Sequence, residues 1–162
     1  MKDLIVYFSL EGNTEYAAER IRKKTGADLL KLIPKKAYRD KGFAKFVWGG
    51  KSAVMAEKPE LEQTEIDLSL YDRIIFGFPV WASSFAPPLR TFIAEHLEEI
   101  RGKKLAAYAC QTGNGAEKAF VKLAKCIGIE CFDRTAIFYD PKSKPGEDKD
   151  TLIDRFGEEL LG

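Results

Sequence analysis

The sequence lacks several features that would assign it to a common functional class. Its 162 residues include three cysteines and one histidine, too few and too scattered for a disulfide framework or a metal site. No apolar run approaches the length of a membrane-spanning helix, and no secretory signal is visible. The net charge of +1 gives no general attraction to nucleic acid or to a membrane surface. We therefore expect one cytoplasmic domain without a metal, without nucleic-acid binding and without membrane insertion.

Three motifs of phosphate chemistry are missing as well. The pattern G-x-x-x-x-G-K-[ST] does not occur, which argues against a P-loop nucleotide triphosphatase. The loop after the first predicted strand contains Gly12 alone, whereas a dinucleotide-binding turn needs three glycines. Cys110 is followed six positions later by Ala116, where a low-molecular-weight phosphatase would have an arginine. These classes are therefore disfavoured.

Strand and helix patterns alternate along the chain. Short apolar runs predict buried strands, and apolar residues at helical spacing predict helices between them. The predicted strands cover 4–8, 28–33, 73–78, 105–109 and 131–139, and the predicted helices cover 14–24, 87–100, 116–127 and 152–161. This alternation indicates an α/β fold with a mostly parallel five-stranded sheet and helices on both faces.

A long insertion at about 34–70 separates the second and third strands within the single domain 1–162. Its apolar residues Phe43, Phe46 and Trp48 argue against disorder, so we expect a helix over 41–48. Its lysines form either a solvated face or a patch that attracts an anionic partner such as a nicotinamide cofactor.

The first strand leads into the sequence Ser-Leu-Glu-Gly-Asn-Thr, which begins a helix. The N-terminus of a helix binds phosphate through free N–H groups and the helix dipole. We expect the hydroxyls of Ser9 and Thr14, the amide of Asn13 and main-chain N–H groups freed by Gly12 to donate to a phosphate. Glu11 must then point outward, and the loop itself contains no cation. An ordinary strand-to-helix turn is the alternative.

Two further loops follow the third and fourth strands, at 79–85 and 111–115. Trp81 lies on the first of them, where its ring suits stacking on a flat ligand, and the second offers small residues and free amides. Ligands in open α/β sheets bind beyond the carboxyl ends of the strands, so the three loops are expected to converge. A phosphate, a planar ring and polar ring edges together describe flavin mononucleotide (FMN).

These loops resemble those of the flavodoxin family. The first looks like its phosphate loop, Phe76-Gly77-Phe78-Pro79-Val80-Trp81 resembles its Gly-x-Pro-x-Trp segment, and Thr112-Gly113-Asn114-Gly115 is similar to its third flavin loop. The resemblance covers nearly the whole chain. It implies a flavodoxin-like three-layer sandwich, an α/β fold with a five-stranded parallel sheet in the order 2-1-3-4-5 and helices on both faces, and it implies non-covalent FMN binding. The cofactor-binding residues that it implies are Ser9, Leu10, Glu11, Gly12, Asn13, Thr14, Pro79, Val80, Trp81, Ala82, Ser83, Gln111, Thr112, Gly113, Asn114 and Gly115.

Two departures from the family affect the expected function. Flavodoxins that carry electrons are usually strongly acidic, whereas this chain has a net charge of +1. The aromatic residue that often covers the outer flavin face is missing from 111–115. The resemblance implies an FMN-binding electron-transfer protein, whose redox partner is a protein or a small electron acceptor. The alternatives are an NAD(P)H-dependent quinone or flavin reductase on the same fold, and a flavin-free interaction module. Enzymatic activity and oligomeric state stay open, and no catalytic side chain is assigned.

Individual side chains also have simpler interpretations. Trp81 is either a flavin contact or a core residue, and Phe85 is either a site residue or packing beneath the following helix. Cys110 is expected to be a small buried hydrophobe, and His96 to lie on a solvated helix face.

Overall fold

The computed structural model of the chain describes residues 1–36, 57–62 and 65–162. The helix expected over 41–48, with its aromatic residues, lies outside these ranges. The described residues contain a five-stranded parallel sheet with two helices on each face. The predicted fold class is therefore confirmed.

The sheet has the predicted strand order, β2-β1-β3-β4-β5. The strands are β1 (Asp3–Tyr7), β2 (Asp28–Lys31), β3 (Arg73–Pro79), β4 (Lys104–Gln111) and β5 (Arg134–Tyr139). β5 begins three residues later than its apolar pattern predicts. The preceding residue, Asp133, instead exchanges hydrogen bonds with Leu105: Asp133 N donates to the Leu105 carbonyl at 2.9 Å, and Leu105 N donates to Asp133 Oδ2 at 3.1 Å.

The described residues form four α-helices, α1 (Asn13–Thr25), α2 (Pro87–Arg101), α3 (Ala116–Ile127) and α4 (Glu147–Leu161), and a short 3-10 helix at Leu68–Leu70. α4 begins five residues before its predicted start. Its first turn contains Glu147, Asp148 and Asp150, which favour a helix N-terminus electrostatically but show no hydrophobic period. Among the described residues, no helix is both long enough and apolar enough to span a membrane.

The alternation of side chains along the strands separates two cores. Leu4 and Val6 of β1 pack in the core beneath α2 and α3, whereas Ile5 and Tyr7 pack in the core beneath α1 and α4. Phe85 is fully buried in the first core, with its ring edge-on to Phe78 at 6.4 Å between centroids. Phe85 is therefore a packing residue, one of the two interpretations that the sequence left open.

His96 differs from its prediction. Its backbone is non-helical within α2 (φ −125°, ψ 20°), and its ring lies 4.6 Å from that of Phe92 between centroids. The side chain is 16% exposed, and its Nδ1 lies 3.3 Å from Glu99 Oε1. The histidine thus packs partly against the core rather than lying on a solvated face, because the break in the helix turns it inward.

Candidate functional site

Four loops meet at the carboxyl edge of the sheet. We name them L1 (9–14, after β1), L2 (79–85, after β3), L3 (111–115, after β4) and L4 (140–146, after β5). L1 to L3 are the loops that the sequence predicts to converge. L4 was not predicted, and it contacts both L1 and L3.

L1 forms the N-terminus of α1. Gly12 adopts the left-handed conformation (φ 99°), and its carbonyl accepts the first helical hydrogen bond, from Tyr16 N at 3.0 Å. Ser9 Oγ accepts from Glu15 N at 3.2 Å, which leaves the serine hydroxyl proton to donate elsewhere. Within the ranges that the structure describes, the N–H groups of Asn13 and Thr14 have no hydrogen-bond acceptor. L1 thus presents several donors and the positive end of a helix dipole to one point.

The carboxylate of Glu11 is exposed, as an anion site in L1 requires. Leu10, by contrast, directs its apolar side chain towards the core beneath α2 and α3, as does Val80 in L2. These two residues can contribute main-chain groups to a ligand while their side chains hold the loops on the sheet.

A hydrogen bond from β4 connects the first turn of α1 to the sheet. The buried Tyr108 hydroxyl donates to the Thr14 carbonyl at 2.9 Å, and burial raises the pKa of this hydroxyl well above its usual range. The Tyr108 ring occupies the space that a Cβ at Gly77 would need, so glycine is required in β3 at this position. Thr14 itself is 1% exposed, and its side chain forms a hydrogen bond with Cys110.

The Cys110 thiol does not have the properties of a nucleophile. Burial raises the pKa of its thiol to about 12, against the smaller opposing effect of the hydrogen bond with Thr14. The thiol is therefore protonated at neutral pH, and reactive cysteines are thiolates. This agrees with its expected role as a small buried hydrophobe.

The structure gives the Asn13 side chain a different partner from the one expected. Its Oδ1 accepts from the main-chain N–H groups of Lys142 at 2.9 Å and Ser143 at 3.0 Å, and its Nδ2 donates to Ser143 Oγ at 3.2 Å. The amide thus joins L1 to L4, and its donation to a phosphate stays a prediction. Sequence spacing could not show this, because the two partners are 129 and 130 residues away.

L4 also places a cation at L1. The Lys142 side chain lies against the α-carbon of Gly12, where a Cβ would meet its Nζ at 2.7 Å. The sequence of L1 contains no lysine or arginine, so the residues of L1 do not predict this cation. Residues 140–144, Asp-Pro-Lys-Ser-Lys, are typical of a polar turn and do not by themselves indicate a binding site. The packing of α4 beside α1 brings this turn close to L1.

L2 contains a tight turn. Trp81 and Ser84 exchange main-chain hydrogen bonds at 3.0 and 2.9 Å, and the two residues between them, Ala82 and Ser83, have positive φ of 50° and 57°. Such angles define a type I′ turn, which usually contains Asn-Gly. The partly buried Trp81 ring packs edge-on against Phe8, 5.4 Å between centroids and 77° between planes. Trp81 thus packs from L2 against Phe8, the residue before L1, and contacts the core beneath α2 and α3.

L3 completes the edge. A Cβ on Gly115 would lie 2.8 Å from Ser83 Oγ, so glycine permits L2 and L3 to touch. Gln111 Oε1 accepts from Ala116 N at 3.0 Å and caps α3, while Thr112 Oγ1 donates to Asp140 Oδ1 of L4 at 3.1 Å. Gly113 and Asn114, like Thr112, are exposed. The predicted convergence of L1, L2 and L3 is observed, and flavin contact by their individual residues stays a prediction.

The fold and the site together define a doubly wound α/β protein with the N-terminus of α1 among the loops at its carboxyl edge. A sequence model of the flavodoxins matches residues 2–140. The chain therefore belongs to the flavodoxin family.

Solved structures show the same fold. A flavoprotein from Lactobacillus acidophilus NCFM in complex with FMN is similar, with a TM-score of 0.73 and 19% identity over 95% of this chain and 97% of that one. A protein from Bacteroides eggerthii DSM 20697 assigned as a flavoprotein has a TM-score of 0.74 and 21% identity over 99% and 98%. A flavodoxin from Streptococcus pneumoniae TIGR4 has a TM-score of 0.57 and 17% identity over 99% and 98%. No curated protein matches the chain.

Thiol accessibility tests the packing beneath the site. In native protein at mildly alkaline pH we expect a chromogenic disulfide reagent to label the exposed Cys131 fastest. Cys126, half-buried with its thiol pKa raised by burial, should react slowly, and Cys110 should react only on unfolding. A Cys131→Ala variant and denatured protein are the controls. Rapid labelling of Cys110 in the native state would contradict the packing described.

Proposed function

We propose that this flavodoxin-family protein binds FMN non-covalently at the L1–L4 edge and transfers electrons through it. The observation that carries the proposal is the N-terminus of α1, where the Ser9 hydroxyl and the main-chain N–H groups of Asn13 and Thr14 present donors beside the positive end of the helix dipole. A phosphomonoester is the anion that such a loop suits. The FMN complex of the Lactobacillus flavoprotein with the same fold supports the assignment.

The remaining loops suit the ring of the flavin. Trp81 borders the site from L2, with its ring held edge-on by Phe8, and L3 supplies exposed polar groups and glycines for close approach to a polar ring edge. FMN would supply the redox chemistry. The chain's own residues would hold the phosphate, orient the ring and set the polarity around it.

None of the four loops contains a histidine, and the cysteine nearest to them, Cys110, is buried and protonated. Electron transfer through a bound flavin requires no general base or nucleophile from the protein, so the described residues of these loops are compatible with an electron carrier. The partner in this proposal is a redox protein or a small electron acceptor.

A reductase that takes hydride from NAD(P)H is the second candidate. One observation favours it: L3 carries no aromatic side chain, and its central residues Thr112, Gly113 and Asn114 are exposed. A flavin beside such a loop would have one ring face open to a second planar ligand.

A pair of variants at Ser9 tests the phosphate position. Asp and Asn can both accept from Glu15 N as Ser9 does, and both are favourable near a helix N-terminus. Ser9→Asp adds a negative charge beside the proposed phosphate, so it should bind FMN about tenfold or more weakly than Ser9→Asn, with riboflavin affinity equal in the two variants. Fluorescence titration measures both. Equal FMN affinity would place the phosphate elsewhere.

Anaerobic stopped-flow mixing of the FMN-loaded protein with NADPH separates the two candidate functions. The FMN of a carrier should keep its oxidised absorbance, because a carrier has no binding site that places NADPH against the flavin. Free FMN is the control for non-enzymatic reduction. Reduction at about 1 s⁻¹ or faster, within the range of ordinary turnover numbers, would assign the protein as a reductase instead.

A further inference from the structure

Lys142 lies at the phosphate loop although it is distant from it in sequence. A Cβ built on Gly12 would meet Lys142 Nζ at 2.7 Å and its Cδ at 2.9 Å. The absence of a side chain at Gly12 therefore opens the space that the end of the lysine occupies. The ammonium group thus lies over the loop whose N–H groups begin α1.

The main chain of Lys142 is held in place from two sides. Its N–H donates to Asn13 Oδ1 at 2.9 Å, next to the N–H of Ser143 at 3.0 Å. On the other side, the Asp140 carbonyl accepts from Lys144 N at 2.8 Å, and Asp140 Oδ1 accepts from Thr112 at 3.1 Å. L4 is therefore a turn fixed to L1 and to L3, and it presents Lys142 to Gly12.

The two lysines of this turn have different partners. Lys144 Nζ pairs with Asp140 Oδ2 at 3.7 Å. Lys142 forms no ion pair with any carboxylate of residues 1–36, 57–62 and 65–162. Its ammonium lies instead at the positive end of the α1 dipole, an unfavourable arrangement that an anion between the two would reverse.

We propose that Lys142 binds the phosphomonoester of FMN and supplies the cation that L1 lacks. The inference rests on the proposed function and adds a residue to it. A phosphomonoester carries a charge of about −1.5 to −2 at neutral pH, and the N-terminus of a helix offers only about +0.5. A lysine ammonium adds a full charge and a charge-assisted hydrogen bond. Lys142 therefore selects the phosphorylated flavin over the unphosphorylated one.

The experiment compares Lys142→Met with Lys144→Met. Each variant removes one lysine charge from L4 and keeps most of the side-chain length. FMN and riboflavin dissociation constants are measured by fluorescence titration at low and at moderate salt. We expect Lys142→Met to weaken FMN binding about tenfold and to reduce its salt dependence. Lys144→Met should change FMN binding less than about twofold, and riboflavin affinity should be the same in all three proteins.

Three results in the variants would overturn the inference and leave the proposed function standing. Equal weakening of FMN binding by both substitutions would indicate a general charge effect. Equal loss of FMN and riboflavin binding in Lys142→Met would indicate a structural role for the lysine. No change in FMN affinity on replacing Lys142 would remove it from the site. Wild-type protein that binds neither flavin would overturn the proposed function, and this inference with it.

Discussion

The hydrogen bond from the Tyr108 hydroxyl to the Thr14 carbonyl is the contact on which the site depends. It joins the centre of β4 to the first turn of α1 inside the core, and the Gly77 position in β3 leaves room for the ring that makes it. A buried hydroxyl with a partner stabilises its position, whereas one without a partner is costly. This hydrogen bond fixes the position of the α1 N-terminus relative to the sheet. The loops L2, L3 and L4 surround that N-terminus.

Some side chains at the site hold the loops together and do not face a ligand. Asn13 joins L1 to L4, Thr112 joins L3 to L4, and Gly115 permits L3 to touch Ser83 of L2. Main-chain donors at the start of α1 are thereby left to face outward. Such preorganisation lowers the entropy lost when a ligand binds. In the proposed function, a chain with a net charge of +1 forms a local anion site whose positive charge comes from a helix dipole and from a lysine that is distant in sequence.

The sequence predicted the layers well, because buried parallel strands have continuous apolar runs and their connecting helices have a clear apolar face. The strand order was predicted from the resemblance of the loops to those of the flavodoxins. The start of α4 was missed because its first turn is acidic and exposed. L1, L2 and L3 were located since each follows a predicted strand. L4 was not, because its role arises from tertiary packing between residues about 130 positions apart. The hydrogen bonds of the Asn13 amide with L4 were missed for the same reason.

The central claim is that L1, with α1 behind it and L4 beside it, binds the phosphate of FMN. The most direct test is the ratio of riboflavin to FMN dissociation constants for the wild-type protein, measured by titration under identical conditions. Several charge-assisted contacts to the phosphate predict that FMN binds about 100-fold or more tightly than riboflavin. Equal affinity for the two flavins would contradict the account, since it would leave the phosphate without contacts at the helix N-terminus.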